Sequence, residues 1–279
     1  MSNDWQRLNV QAIDLLDGGE IASAEKAFVS ACESQDFRAY NNLGWFYYVQ
    51  GTGSEIKDSV VEALFWLQRA IAHTRHPIVL QNIAAIRFGD CNYTGALELL
   101  QEARKSCNDT VLLYNIGVCL FRTGNRTMAS ACFREADAAN AAKQIQLRGA
   151  THPRLAYAYC VQGNDREAAL HRYALERRDD ELLDYFMLCI LCREYRMAAP
   201  ELPELISQWQ LTDQVLAMAA ECILHIPSVK EQTLHLLSEA DHREKRKLLH
   251  FLKNPNQRAA LLTDQAFTPV LAMHEGYFE

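Results

Sequence analysis

Cys189 and Cys192 form a Cys-x-x-Cys pair, the spacing of half a zinc site or of a redox motif, because two such thiolates can share a metal ion or pair with each other. The pair lies in "YFMLCILC", an apolar run with no second cysteine pair and no histidine at ligand spacing. Core packing is the simpler reading. His73 and His76 make a His-x-x-His just before Pro77, two ligands without a third, and read as turn residues. His235, His242 and His250 recur at intervals of seven and eight and read as exposed residues of late helices rather than as a pH sensor. "GTG" at 51–53 could cradle a phosphate only if a strand preceded it, and the residues before it have helical character. The sequence carries no Ser-His-Asp order, paired-carboxylate motif or P-loop, so it predicts no enzyme, no metal and no cofactor.

One group of polar residues stands apart. Asn42, Asn82 and Asn115 each lie two positions before a small residue, Gly44, Ala84 and Gly117. A carboxamide donates and accepts hydrogen bonds at once, which suits it to a peptide backbone of any sequence. Residues that return at one place in a pattern need repeating elements to align them.

The chain has such a repeat. In residues 111–140, Gly117 is followed twelve positions later by Ala129, then by Phe133 and Ala136, with Gly124-Asn125 between. The same skeleton returns as Ala12, Gly19-Glu20, Ala24, Phe28 and Ala31, again as Ala84, Ala96, Leu100 and Ala103, and again as Ala156, Gly163-Asn164 and Ala168. The spacing describes two antiparallel helices joined by a tight turn. Apolar residues such as Leu112, Ile116, Cys119 and Leu120 recur at helical intervals, and the Gly-Asn or Gly-Glu pair supplies the left-handed residue that ends the first helix. The small residues mark where the two helices cross, since only a hydrogen or a methyl allows close approach.

This skeleton resembles the tetratricopeptide repeat (TPR) family over roughly residues 5–240. In residues 39–72, Leu43, Gly44 and Tyr47 match the first helix and Ala63, Trp66 and Ala70 the second, but seven extra residues separate them, including "GTGSEIKD". That longer connection is similar to the Sel1-like variant of the repeat. After residue 176 the match fades, and Pro200 and Pro203 fall where a second helix should run, so that helix must start late or kink. The resemblance implies an all-α fold, a right-handed superhelical solenoid of about six to seven antiparallel hairpins. Residues 1–175 would carry clear TPR/Sel1-like repeats, 176–255 degenerate repeats, and 256–279 a capping segment over the last hydrophobic face. "SVKE" at 228–231 reads as a capping box with Ser228 at the N-cap.

In this architecture the first helices line a concave face, and related repeat proteins grip peptide backbones there with rows of Asn. The resemblance therefore implies a peptide-binding row of Asn42, Asn82 and Asn115, with Trp45, Tyr48, Tyr114, Phe121 and Tyr157 as aromatic anchors beside it. Some TPR domains hold chaperone C-termini in a clamp of Lys, Asn and Arg. This chain departs from that pattern, with Val10, Ile13, Ile78 and Gln81 at or near those places.

Composition bounds the partners. Lys and Arg number 28 against 35 Asp and Glu, a net charge of −7 that disfavours nucleic acid and anionic membrane surfaces. The one dense basic run, "HREKRK" at 242–247, reads as a solvated helix face. Residues 1–16 hold no long apolar core, and the nine scattered cysteines fit a reducing compartment, so the sequence predicts no membrane insertion and a cytoplasmic location. The functional expectation is a scaffold or adaptor that binds a protein or peptide in its groove. The alternative is a regulatory or sensor subunit that acts through homodimerisation or through a partner enzyme on the helices of 176–255.

Overall fold

The computed structural model describes residues 4–51, 59–107, 109–142, 147–240, 242–262, 269–272 and 278. All regular structure among them is helical. The chain divides into two compact units, Met1–Cys132 together with Leu271–Glu279, and Phe133–Val270.

The first unit is a run of hairpins: α1 (Asp4–Asp17) with α2 (Ile21–Ala31), α3 (Phe37–Gly51) with α4 (Ser59–His73), and α5 (Pro77–Gly89) with α6 (Tyr93–Ala103). Then come α7 (Thr110–Arg122) and the start of α8 (Arg126–Ala141). Each second helix also packs on the next first helix, α2 on α3, α4 on α5 and α6 on α7. The crossing residues lie where the spacing predicts. Ala12, Ala24, Ala63, Ala84, Ala96 and Ala129 are all fully buried. A methyl group at Gly44 would sit 2.7 Å from Leu67 Cγ and 3.0 Å from the Ala63 carbonyl oxygen, so α3 and α4 can approach this closely only through glycine. The predicted loop between these two helices falls at 52–58, outside the described residues.

The hairpin turns share one local solution. After α7, the Gly124 N–H donates to the Phe121 carbonyl (3.0 Å) and the Asn125 N–H to that of Leu120 (2.9 Å), the paired bonds of a Schellman motif around a left-handed residue. The same pair of bonds closes α1 around Gly19 and α5 around Cys91. Cys91 has φ 58°, a region that costs an L-residue energy and that no sequence signal flags.

The second unit contains α9 (Pro153–Cys160), α10 (Asn164–Glu176), α11 (Leu182–Leu191), α12 (Tyr195–Ala198), α13 (Leu202–Gln208), α14 (Asp213–His225), α15 (Lys230–Ala240), α16 (His242–Lys253) and α17 (Pro255–Leu261). Arg193, at φ 63°, makes the Schellman turn after α11. The two prolines break the following helix as expected: a 3-10 turn over Ala199–Glu201 separates α12 from α13, and α13 carries Pro203 in its first turn. Ser228 does not cap α15. It sits inside a 3-10 turn over Pro227–Val229 that begins at proline, and the helix starts two residues later. The stretch expected as one cap, 256–279, is divided: α17 packs on α14 and α16, whereas Leu271–Glu279 belongs with the first unit.

Candidate functional site

Two columns of amides meet on the first helices of unit 1. One holds Asn42, Asn82 and Asn115, two positions before the small crossing residue. The other, one position earlier, holds Asn9, Asn41 and Gln81. The columns bond diagonally in two places, where Asn9 and Asn41 each face the next hairpin's residue in the later column. Asn42 Nδ2 donates to Asn9 Oδ1 (2.5 Å), and Asn82 Nδ2 donates to Asn41 Oδ1 (2.9 Å). Asn41 Nδ2 also donates to Asn42 Oδ1 (3.2 Å), which joins the rungs into one ladder across α1, α3 and α5. The amides of Asn9, Asn41 and Asn42 are fully shielded from solvent, so each bond of the ladder forms in a low-dielectric setting where an unmet partner is costly.

Asn115 and the ladder each hold a backbone residue, and both residues are the chain's own. Asn115 Oδ1 accepts the Ala272 N–H (2.8 Å), and Asn115 Nδ2 donates to the Ala272 carbonyl (3.2 Å). Asn42 repeats this pairing with Phe278, accepting its N–H at 2.7 Å and donating to its carbonyl at 2.6 Å. Asn9 Nδ2 donates to the same carbonyl at 2.5 Å. Asn42 thus makes all four hydrogen bonds open to a carboxamide. The held segment runs from α7 towards α3 and α1, against the order of the hairpins.

Side-chain contacts surround one end. The Phe278 ring stands edge-on to Phe37 (centroids 5.4 Å apart, 85°) and to His76 (5.0 Å, 65°). His76 caps α5, its Nδ1 accepting the Ile78 N–H at 3.3 Å, and burial holds its pKa below the usual histidine value. Close by, Arg38 makes a two-pronged bond to Asp36 and lies 4.2 Å over the Trp5 ring. Ala272 is buried at the other end.

The predicted residues divide. Asn42 and Asn115 contact the segment directly, and Asn82 supports them through Asn41. Of the expected aromatic anchors, Tyr114 is wholly buried, Trp45 and Tyr48 are half-buried, and Phe121 is half-buried under the Arg126 guanidinium at 5.1 Å. Tyr157 lies in the second unit, packed against a core that includes Leu155, Leu170 and Tyr185. Sequence reasoning passed over Asn9, Asn41 and Phe37. The missed amides were marked by a polar amide recurring three residues before the small residue, in the column beside the one that was read.

Unit 2 carries polar groups of another kind. The nearly buried Arg154 forms two bonds with Asp137 (3.0 and 3.2 Å) and one with Glu176 (2.6 Å). His152 caps α9 by accepting the Arg154 N–H at 3.1 Å, and burial lowers its pKa to about 4. A cleft of about 710 Å³ is lined by His171, Arg193, Tyr195 and His225, with Tyr195 stacked on His225 at 3.8 Å. Cys189 is buried in α11, its thiol pushed up by burial, and among the described residues no three His, Cys, Asp or Glu side chains are grouped to hold a metal ion.

Paired antiparallel helices, Schellman turns and small residues at each crossing are the marks of one repeat architecture. The fold is that of a tetratricopeptide repeat protein. A TPR protein from Parabacteroides merdae ATCC 43184 superposes with a TM-score of 0.59 at 17% identity, covering 91% of this chain and all of that one. PilF of Pseudomonas aeruginosa gives 0.52 at 13% identity, covering 88% of this chain and 97% of that one. A chain of the APC/C hetero-tetramer Cut9–Hcn1 gives 0.50 at 17% identity, covering 93% of this chain but 42% of that one. No protein-family model and no curated protein matches the sequence. No helix among the described residues is long and apolar enough to cross a membrane.

Proposed function

We propose that this chain is a non-enzymatic interaction module whose first TPR-like unit binds an extended peptide segment of a partner protein. One observation carries the reading. Asn42 and Asn115 each engage both the N–H and the C=O of a single backbone residue, a contact that recognises extended chain without reading its side chains. The first helices place these carboxamides in register, and the bonds to Asn9 and Asn41 fix the orientation of Asn42 before a peptide arrives, which lowers the entropy lost on binding there. The longer α3–α4 connection is read as a Sel1-like variation on the same hairpin. The acidic balance of the chain and its five buried thiols support work in the cytoplasm, away from nucleic acid.

The test is affinity capture with the full chain and with an Asn42→Ala/Asn115→Ala chain as baits, followed by mass spectrometry, with circular dichroism as the folding control. Partners held by the first bait and lost from the second are the expected result. An unchanged set on a folded variant would move the function to another surface.

A further inference from the structure

The site that would grip a partner is already filled by the chain itself, and the occupant shows what else can enter. We propose that Leu271–Glu279 is a built-in competitor: the Asn ladder accepts from another protein an extended peptide with a small residue and, six positions later, an aromatic one, only in exchange for this segment. The proposal rests on the peptide-binding reading above and adds to it the ligand's side-chain pattern, its direction and its control.

The bonds at Ala272 and Phe278 go to backbone atoms and are neutral, and Asn42 is held by Asn9 and Asn41 without them, so one chain can replace another atom for atom. Selectivity comes from the two ends. Ala272 is buried, 5% exposed, which limits that position to a small side chain. Six residues further on, which is at most about 20 Å of extended chain, the aromatic ring meets Phe37 and His76 edge-on. Direction is set as well, because the Ala272 end lies on α7 and the Phe278 end on α3 and α1. Gln81 belongs to the same column as Asn9 and Asn41. Its Oε1 is buried and has no hydrogen-bond partner among the described residues, so it offers a further acceptor to the N–H of a bound chain.

Tethering gives the internal segment an advantage. A segment joined to its own site by a short linker acts at an effective concentration of about millimolar. With an intrinsic affinity of about 1–10 micromolar for its site, the tethered segment weakens any outside peptide on the order of a hundred- to a thousand-fold. Partner binding then depends on whatever removes the segment or outcompetes it.

The test uses a labelled peptide of residues 271–279, LAMHEGYFE, blocked at both ends, titrated by fluorescence anisotropy into full-length chains. The Ala272→Asp/Phe278→Ala chain, whose own segment is disabled, should bind this peptide at least tenfold more tightly than the unaltered chain does. Adding Asn42→Ala and Asn115→Ala should abolish that binding. A peptide with Ala in place of the phenylalanine should bind at least tenfold more weakly. Equal affinity for the unaltered and disabled chains, with binding still lost on removing the Asn side chains, overturns the competitor and leaves the groove reading standing. Binding that survives the loss of both Asn side chains overturns the groove reading itself, and absence of binding in a folded disabled chain overturns the proposal. Dimers of the unaltered chain in light scattering that vanish in the disabled chain would place the segment in a second copy and overturn its action within one chain. Hydrogen exchange needs no disabled variant. Slow exchange at Ala272 and Phe278 is expected, with Asn115→Ala speeding only Ala272, and fast exchange at both in the unaltered chain would overturn the docked segment.

Discussion

Unit 1 buries neutral amides on the first helices of its hairpins, whereas unit 2 buries the Arg154 charge on α9 against carboxylates of α8 and α10. The ladder of Asn9, Asn41, Asn42 and Asn82 has no titrating member, so its strength is the same across the working pH range. The cluster of Arg154, Asp137, Glu176 and His152 depends on the charge state of every member. A site that must exchange one backbone for another is better made of amides, because neutral hydrogen bonds contribute modestly and can be traded. A buried ion pair is costly to break and serves to fix one arrangement.

The comparison breaks most sharply at Arg154. Replacing it with Met leaves Asp137 only its longer contact to the half-exposed Arg172 (3.8 Å) and should cost on the order of 3 kcal/mol or more at pH 7, the half-exposed Glu176 contributing little of it. Urea unfolding at pH 7 and pH 4 checks this, with a smaller loss at pH 4, because the Arg154 hydrogen bond holds the Glu176 carboxyl below its usual value and that contribution fades as pH falls.

His152 gives the next largest effect. Its folded pKa is lowered to about 4 by burial and by the Arg154 charge, opposed by Asp137, Glu181 and Glu176. A lowered value means that the stability is fully present above the unfolded value near 6.5 and is lost as pH falls from there to about 4. The loss amounts to on the order of 3 kcal/mol. Thermal unfolding between pH 7 and 4 should show it, and His152→Asn, which keeps a capping acceptor without the proton, should flatten the slope.

Asn42→Ala should cost about 2 kcal/mol, since it strips partners from Asn9, Asn41 and both backbone groups of Phe278. Unlike the Arg154 variant, its loss should be the same at pH 7 and pH 5. A pH-dependent loss in chemical denaturation would erase the contrast between the units. The smallest effect is a gain: Cys91→Gly in unit 1 and Arg193→Gly in unit 2 should each add about 0.5–1 kcal/mol by relieving a left-handed residue. Equal gains would show that the two units share their turns even where their polar interiors differ.

Much of this was legible in the sequence because it rests on local rules. The crossing of α3 and α4 follows from the size of Gly44, and the break after α12 from the chemistry of Pro200. Two members of the ladder followed from their fixed offset to the small residue. Asn9 and Asn41 escaped because the bonds run diagonally between hairpins, so that a single column shows half of each rung. Tyr114 looked like an anchor because the face of a helix that points to a ligand and the face that points to a neighbour both tolerate aromatics. The occupant was not readable at all. Ala272 and Phe278 meet their partners across 157 and 236 positions of chain, and no periodicity links residues so far apart.

The diagonal bonds also have a mechanical side. Each rung ties one hairpin to the next, while Asn42 and Asn115 hold two residues that lie six positions apart on one chain. Spacing between hairpins and registration along the held chain therefore form a single coordinate. Pulling the hairpins apart would carry Asn115 out of step with its residue while Asn42 stayed in step with its own. The first unit is in this sense a gauge whose grip reports how far it is stretched.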